Sequence, residues 1–362
     1  LPTELVSGII IPASHGATMA VGYVYHPIYL KHDTGEHVEN ARRLEAIISH
    51  LEQTGLKSQL TLIEPRPASM EELSLVHQKQ YIEQVQEVAR RGGGWLDPDT
   101  VTSPDSYEAA LYAAGGAIQA VEAVMGGELA SAFALVRPPG HHATSRQAKG
   151  FCLFNNIAIA ARYALARYDL ERILIIDFDV HHGNGTQEAF YDNPQVMYIS
   201  THEYPFYPGT GSLEETGVGA AEGTIINIPL SAGCGDGEYL EVFEQIIVPA
   251  AKRFKPQLIL VSAGYDAYWA DPLALMEVSV TGFGQMARII KGLADELCGG
   301  RLVFTLEGGY HLDALAASVK ATFDVLLGNT ATSDPLGGSP RSFGAANIDR
   351  LIAVVKEIHK LL

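Results

Sequence analysis

Residues able to do chemistry gather in four short stretches of this 362-residue chain, each directly after a run of aliphatic and β-branched residues. "DFDVHHGNG" (177–185) follows "ILII", and "YDAYWADP" (265–272) follows "LILVSAG". "RPPGHHATSRQAKGFCLFNN" (137–156) follows "FALV", and Tyr310 closes "LEGGY" after "RLVFT". Strand side chains alternate, so Asp177, Asp179 and His181 point to one side while Phe178, Val180 and His182 point to the other. Asp179 and His181, joined by Asp266 from another strand end, would supply one imidazole nitrogen and two carboxylates. Three protein ligands with a position left for water describe a catalytic zinc rather than a structural one. A DxH pair alone is equally an ion pair in a solvated loop; Asp266 and the paired histidines turn the reading toward a metal.

A two-manganese hydrolase of the arginase kind is the competing metal reading. It needs a further carboxylate two residues past each key ligand, and those places hold Gly183 and Tyr268, so a second ion lacks its ligands. His141 and His142 follow Gly140 in a loop stiffened by Pro138 and Pro139. One histidine beside a metal-bound water can take its proton and later return it to a leaving amine. Each ring also needs an acceptor on its other nitrogen, for which Asp177 and Asn184 are the candidates. Tyr310 follows two glycines that permit a tight backbone approach, which would let its phenol donate to a developing oxyanion.

The positioning elements are legible around these stretches. β-rich runs at 21–25, 133–136, 172–177, 196–200, 224–230, 258–264 and 301–309 alternate with helical periodicity at 40–54, 79–90, 106–125 and 155–168. That alternation implies an α/β fold, a mostly parallel sheet covered by helices on both faces, whose ligands bind beyond the carboxyl ends of the strands. All four polar stretches fall at such ends. Near the C-terminus a Pro/Gly/Ser-dense connection (330–346) leads to a last helix whose stripe of Ile348, Leu351, Ile352, Val355 and Ile358 packs back on the domain. Residues 1–18 are read as an N-terminal extension or cloning remnant, and 19–362 as one catalytic domain.

Composition sets outer limits. With 25 Lys and Arg against 42 Asp and Glu, the net charge is −17, which argues against nucleic acid and favours cationic or basic-peptide partners. Cys152, Cys234 and Cys298 form no CxxC pair, so neither a disulfide framework nor a thiolate zinc site is indicated, and a reducing, cytoplasmic setting is expected. No apolar run reaches membrane-span length, and the reading involves no membrane.

At these residues the sequence resembles the histone deacetylase superfamily, including bacterial acetylpolyamine amidohydrolases and histone-deacetylase-like amidohydrolases. The likeness covers roughly residues 20–330 and rests on "RPPGHHA", "GFCLFNN", "DFDVHHGNGTQ", "FYPGTG", "SAGYDA" and "LEGGY". Asn184 within "GNGTQ" looks like the class II branch. The resemblance implies a three-layer α/β/α fold of the arginase and deacetylase type, with one zinc on Asp179, His181 and Asp266. His142 matches the general base and acid with Asn184 as its partner, His141 its electrostatic companion with Asp177, and Tyr310 the carbonyl-polarising tyrosine. Gly150, Phe151 and Tyr207 match the walls of a narrow acyl-lysine channel, with tyrosine at 207 where phenylalanine is usual. Asp99 matches a rim aspartate that grips substrate backbone.

Further expectations follow from the same resemblance. A structural potassium is implied on Asp177, Asp179, His181, Ser200 and Thr201, mostly through backbone oxygens, and a second alkali site around Phe190, Asn193 and Val196. In "GEHVENARRL", Val38 and Ala41 stand where prolines are often found, while Arg43 matches the basic residue; His32 and His37 read as rim or structural histidines. Polyamine-selective relatives carry a glutamate directly after the "DP" that follows the third zinc ligand, and Leu273 stands there. The expected activity is zinc-dependent removal of acetyl or other acyl groups from lysine side chains or similar N-acyl amines. Acetylpolyamine deacetylation is the alternative, and a non-catalytic acyl-group sensor a more distant one. Partners are an acyl-lysine peptide or an acetylated small amine, and the reading allows a homo-oligomer.

Overall fold

A computed structural model describes residues 20–330, 334–340 and 347–361. The reading of residues 1–18 and much of the connection at 330–346 lie outside the described residues. Eight strands form one sheet: β1 (Val21–Val24), β2 (Thr61–Ile63), β5 (Ser131–Ala134), β6 (Ile173–Asp177), β7 (Val196–Glu203), β8 (Ile225–Leu230), β9 (Leu258–Ala263) and β10 (Leu302–Leu306). A separate antiparallel hairpin pairs β3 (Gly94–Asp97) with β4 (Thr100–Thr102). The sheet order is β2-β1-β5-β10-β9-β6-β7-β8, and every neighbouring pair is parallel. Parallel strands covered on both faces bury both sets of side chains, which is why β6, β9 and β10 read as near-continuous apolar runs and are buried at every position.

The covering helices are α1 (Arg42–Gln53), α2 (Met70–Leu73), α3 (Lys79–Arg90), α4 (Ser106–Met125), α5 (Asn156–Arg167), α6 (Asn184–Phe190), α7 (Asp236–Val242), α8 (Val248–Phe254), α9 (Val280–Cys298), α10 (Leu312–Leu326) and α11 (Asp349–His359). One set packs α1 on α10, α10 on α9 and α9 on α7; another packs α4 on α5 and α5 on α6. The result is a three-layer α/β/α sandwich. α11 buries Ile352 and Val355 and returns to the body, where Lys356 Nζ donates to Gln245 Oε1 at 2.8 Å.

Strand order explains where a ligand can sit. From β6 the chain passes through α6 to β7 on one side, and from β9 it passes through α9 to β10 on the other. Right-handed crossovers then place α6 and α9 on opposite faces and leave a crevice at the carboxyl ends of adjacent β6 and β9. The expected strand at 133–136 lies two residues earlier, at Ser131–Ala134. Leu135 and Val136 stay buried beyond it and carry the chain into the proline-stiffened histidine loop.

Candidate active site

Three buried side chains meet at the β6/β9 crevice. Ligand atoms of Asp179, His181 and Asp266 lie within 4.8 Å of one another. His181 Nδ1 stands 3.2 Å from Asp179 Oδ1 and 3.1 Å from Asp266 Oδ2. Backbone donors hold the far oxygens: Gly308 N–H donates to Asp179 Oδ2 at 2.7 Å and Val180 N–H to Asp266 Oδ1 at 2.9 Å. Each acid therefore presents its other oxygen to the same point. Burial alone would keep His181 neutral, but hydrogen bonds and charge from Asp179 and Asp266 outweigh it and raise its pKa to about 10. Two buried carboxylates around one imidazole demand a positive charge between them. The donor set, one nitrogen and two hard oxygens, suits a divalent ion such as zinc.

The tandem histidines face this point with distinct partners. His141 Nδ1 lies 3.1 Å from Asp177 Oδ2, which also accepts from the Tyr198 hydroxyl at 2.9 Å. His142 Nδ1 lies 2.8 Å from Asn184 Oδ1, while Asn184 Nδ2 donates to the His142 carbonyl at 3.3 Å. The second bond orients the amide with its oxygen toward the ring, so His142 Nδ1 carries the proton and Nε2 keeps its lone pair. The two rings are 4.0 Å apart. Burial, then the neighbouring His141, pushes the His142 pKa well down, whereas Asp179 and Asp177 outweigh burial at His141 and raise it to about 10.

A cavity of about 400 Å³ opens over this cluster, with His181 in its lining. Its lining contains the expected Gly150, Phe151, Tyr207, Leu273, Asp99, His141, His142 and Tyr310. Gly150 (φ +55) is pressed against His142, where an added Cβ would come 2.3 Å from ring atom Cδ2. Phe151 also holds a left-handed φ of 68°, its amide donating to Thr100 Oγ1 at 3.1 Å, so the β3–β4 hairpin fixes one wall. The hairpin also sets Asp99, whose Oδ1 accepts from Gly150 N–H at 3.2 Å. Burial and the nearby Asp97 raise the Asp99 pKa to about 6. Of the two histidines read as rim or structural, His37 meets Phe151 edge-on at 4.5 Å in the lining, and His32 is buried with Nδ1 2.6 Å from Ser106 Oγ.

Several supporting residues escaped the sequence reading. Phe206 lines the cavity and stacks on His181 at 5.7 Å. Buried Glu307 accepts from Gly140 N–H at 2.7 Å and His141 N–H at 3.1 Å, tying the end of β10 to the histidine loop, and burial raises its pKa to about 7. Asp271 accepts from the amides of Tyr310 and His311 at 2.7 and 3.1 Å and so sets the tyrosine's backbone. Arg43, which the sequence reading matches to the basic residue, holds the same turn from below: it donates through Nε to the Gly309 carbonyl at 2.7 Å and through Nη2 to Glu307 O at 2.5 Å, with its guanidinium 5.0 Å from the Tyr310 ring centroid. Glu39 neutralises Arg43 and Arg137 at 3.2 and 2.6 Å; burial opposes its charge, but the two guanidiniums hold its pKa at about 2. "LEGGY" and "RPPG" contained Glu307 and Arg137, yet nothing in their spacing marks which buried amide or acid each will meet.

The residues assigned to alkali ions are also adjacent. Asp177 pairs in register with Ser200 across β6 and β7. The main-chain oxygens of Asp179 and His181 accept no protein hydrogen bond among the described residues, and Thr201 Oγ1 is buried without a partner. Such free oxygens fit a cation. Around the second assignment, the carbonyls of Phe190 and Asn193 accept from the amides of Asn193 and Val196 at 3.1 and 3.4 Å.

Sheet order and site together place the chain among the three-layer α/β/α hydrolases. Residues 37–326 match the model of the histone deacetylase domain, and the chain belongs to the histone deacetylase family. A probable deacetylase of Archaeoglobus fulgidus is 43% identical over 298 residues, 82% of each chain. The histone deacetylase-like amidohydrolase of Pseudomonas aeruginosa is 41% identical over 325 residues, 89% of this chain and 84% of the relative. Chloroplastic histone deacetylase 10 of Oryza sativa subsp. japonica is 43% identical over 314 residues, 82% of this chain and 71% of the relative. The crystal structure of the HDA15 HD domain superposes with a TM-score of 0.85 at 35% identity, covering 95% of both chains. This kinship supports an enzyme that hydrolyses amides. Among the described residues no helix is long and apolar enough to cross a membrane.

Proposed function

We propose that the protein is a zinc-dependent hydrolase that removes acetyl or other acyl groups from lysine side chains. The reading is carried by one observation: His181 Nδ1 and an oxygen from each of Asp179 and Asp266 converge under a cavity that His142 and Tyr310 also line. An ion held by Asp179, His181 and Asp266 would supply a Lewis acid to polarise the acyl carbonyl and to lower the pKa of a water. Phe151 and Tyr207 flank the aliphatic arm of the substrate, and Leu273 keeps that part of the lining apolar. His142 Nε2, free because Nδ1 is committed to Asn184, takes the water's proton and then delivers it to the departing amine. His141, backed by Asp177, places a positive charge beside the reacting centre. The Tyr310 hydroxyl donates to the oxygen as negative charge develops on it.

Leu273 in the lining, where a carboxylate would suit a polycation, favours acyl-lysine over acetylpolyamine. In the same reading a potassium ion, held by the Asp177 carboxylate and the free carbonyls beside it, braces the ligand loop. The test is hydrolysis of an acetyl-lysine peptide by wild type and Tyr310→Phe. Tyr310→Phe keeps its zinc and loses about a hundred- to a thousandfold in kcat; equal turnover by both proteins would refute the role given to the phenol.

A further inference from the structure

A second cavity, of about 440 Å³, adjoins the channel and is lined by Gln84, Asp97, Arg146, Gln147 and Lys149 among others. The two are lined by neighbouring residues. Lys149 immediately precedes channel-lining Gly150, and its Nζ stands 5.7 Å from the centroid of the Tyr207 ring, itself part of the channel lining. Asp97 and Asp99 lie at opposite ends of the β3–β4 turn, one lining each cavity.

The second cavity carries two cationic side chains, Arg146 and Lys149, against one acid. In a chain of net charge −17, neither Arg146 nor Lys149 makes an ion pair with a carboxylate among the described residues. Arg146 is held by a neutral group instead: in the amide orientation that satisfies both, the Gln78 side-chain oxygen accepts from Nε and Nη2 at 2.8 and 3.0 Å. Asp97, the one acid in the lining, spends Oδ1 on the Asp99 amide at 2.8 Å. On the channel side Asp99 presents a carboxylate. The mouth thus offers an anion on one flank and, on the other, two cations with no carboxylate partner among the described residues. A ligand head group that satisfies both carries a carboxylate and an ammonium, or an amide N–H, on one carbon.

We propose that this second cavity is a carboxylate subsite, and that the substrates it selects are acylated amines ending in an α-amino-acid head: free Nε-acyl-lysine, or acyl-lysine at the C-terminus of a peptide. The inference rests on the acyl-lysine reading of the channel. With the acyl group over the metal ligands and the aliphatic arm between Phe151 and Tyr207, the α-carbon emerges at the mouth. Its carboxylate turns to Lys149 and Arg146, and its nitrogen to Asp99.

The experiment compares kcat/KM of the zinc-loaded full chain on Nε-acetyl-lysine and on its α-carboxamide, for wild type and for Lys149→Met/Arg146→Gln. A second pair of peptides, with internal acetyl-lysine followed by Glu or by Gln, asks whether a side-chain carboxylate is read instead. Wild type prefers the free carboxylate by about tenfold, mainly through KM. The preference weakens with added salt and shrinks to within about twofold in the double variant. Equal rates on the first pair, or a preference that survives in the double variant, overturn the subsite. A split confined to the Glu and Gln peptides removes the amino-acid-head form of the proposal. Silence on every acetylated compound overturns the acyl-lysine reading as well, whereas hydrolysis without discrimination overturns the subsite alone.

Discussion

In the proposed mechanism His142 acts as a base through a second residue, because the Asn184 amide both accepts from its ring and donates to its carbonyl. Asn184→Ala frees the ring to turn and to change tautomer. It lowers kcat by about ten- to a hundredfold with KM little altered, the scale on which outer hydrogen-bond partners act; steady-state kinetics on an acetyl-lysine peptide check this. The grouping of Asp179, His181 and Asp266 and the histidine partners was legible in the sequence, although β6 ends at Asp177, so Asp179 and His181 sit in the bend beyond it rather than on an alternating strand. Glu307 was not. Its carboxylate takes two backbone amides from a loop far away in the chain, and a side chain that reads main chain leaves no matching residue type to search for. Asp271, which holds the Tyr310 amide, was invisible for the same reason.

Elements impose tighter limits than the side chains they carry. At Gly308, just past β10, a Cβ would lie 2.1 Å from Asp266 Oδ2 and 2.6 Å from Asp179 Oδ2, and both carboxylates are pinned by main-chain donors. On the zinc reading, Gly308→Ala therefore weakens metal binding by about tenfold or more while the chain still folds, as zinc titration with a competing chelator would register. Beneath the same turn, Glu39 lies fully buried between Arg43 and Arg137. Glu39→Gln leaves two buried guanidiniums undercompensated and costs about 3–5 kcal/mol of stability by urea unfolding. The long parallel strands could be read because both faces are apolar. The β3–β4 hairpin could not, as "GGGWLDPDT" shows no alternation and is ordered by tertiary contacts, among them Thr100 with Phe151 and Asp99 with Gly150.

Across the whole molecule, buried polar groups link layers that the sequence shows only as separate segments. His77 joins the approach to α3, the histidine loop and the start of α5: Nδ1–H donates to the Thr144 carbonyl at 2.8 Å, and Nε2 accepts from Asn155 N–H at 2.9 Å. Burial keeps it neutral and lowers its pKa to about 4. In the unfolded chain this histidine takes up a proton below about pH 6.5, while the folded protein does not until about pH 4. Its contribution to stability is therefore present above pH 6.5 and lost as pH falls toward 4. His77→Gln, with a donor and an acceptor but no titration, loses about 1 kcal/mol less than wild type between pH 7.5 and 5.5, as urea unfolding at the two values would measure. Alternation of strands and helices, legible from the start, put the site beyond the carboxyl ends of a parallel sheet, whereas the order of the strands was not legible. Convergence of Asp179 and His181 beyond β6 with Asp266 beyond β9 on one ion is the claim on which the proposed enzyme depends. Return of acetyl-lysine hydrolysis, as metal-free protein is titrated with zinc, tests it most directly: activity rises to a plateau at one equivalent per chain. Full activity before any zinc is added, or a plateau only at two equivalents, would contradict it.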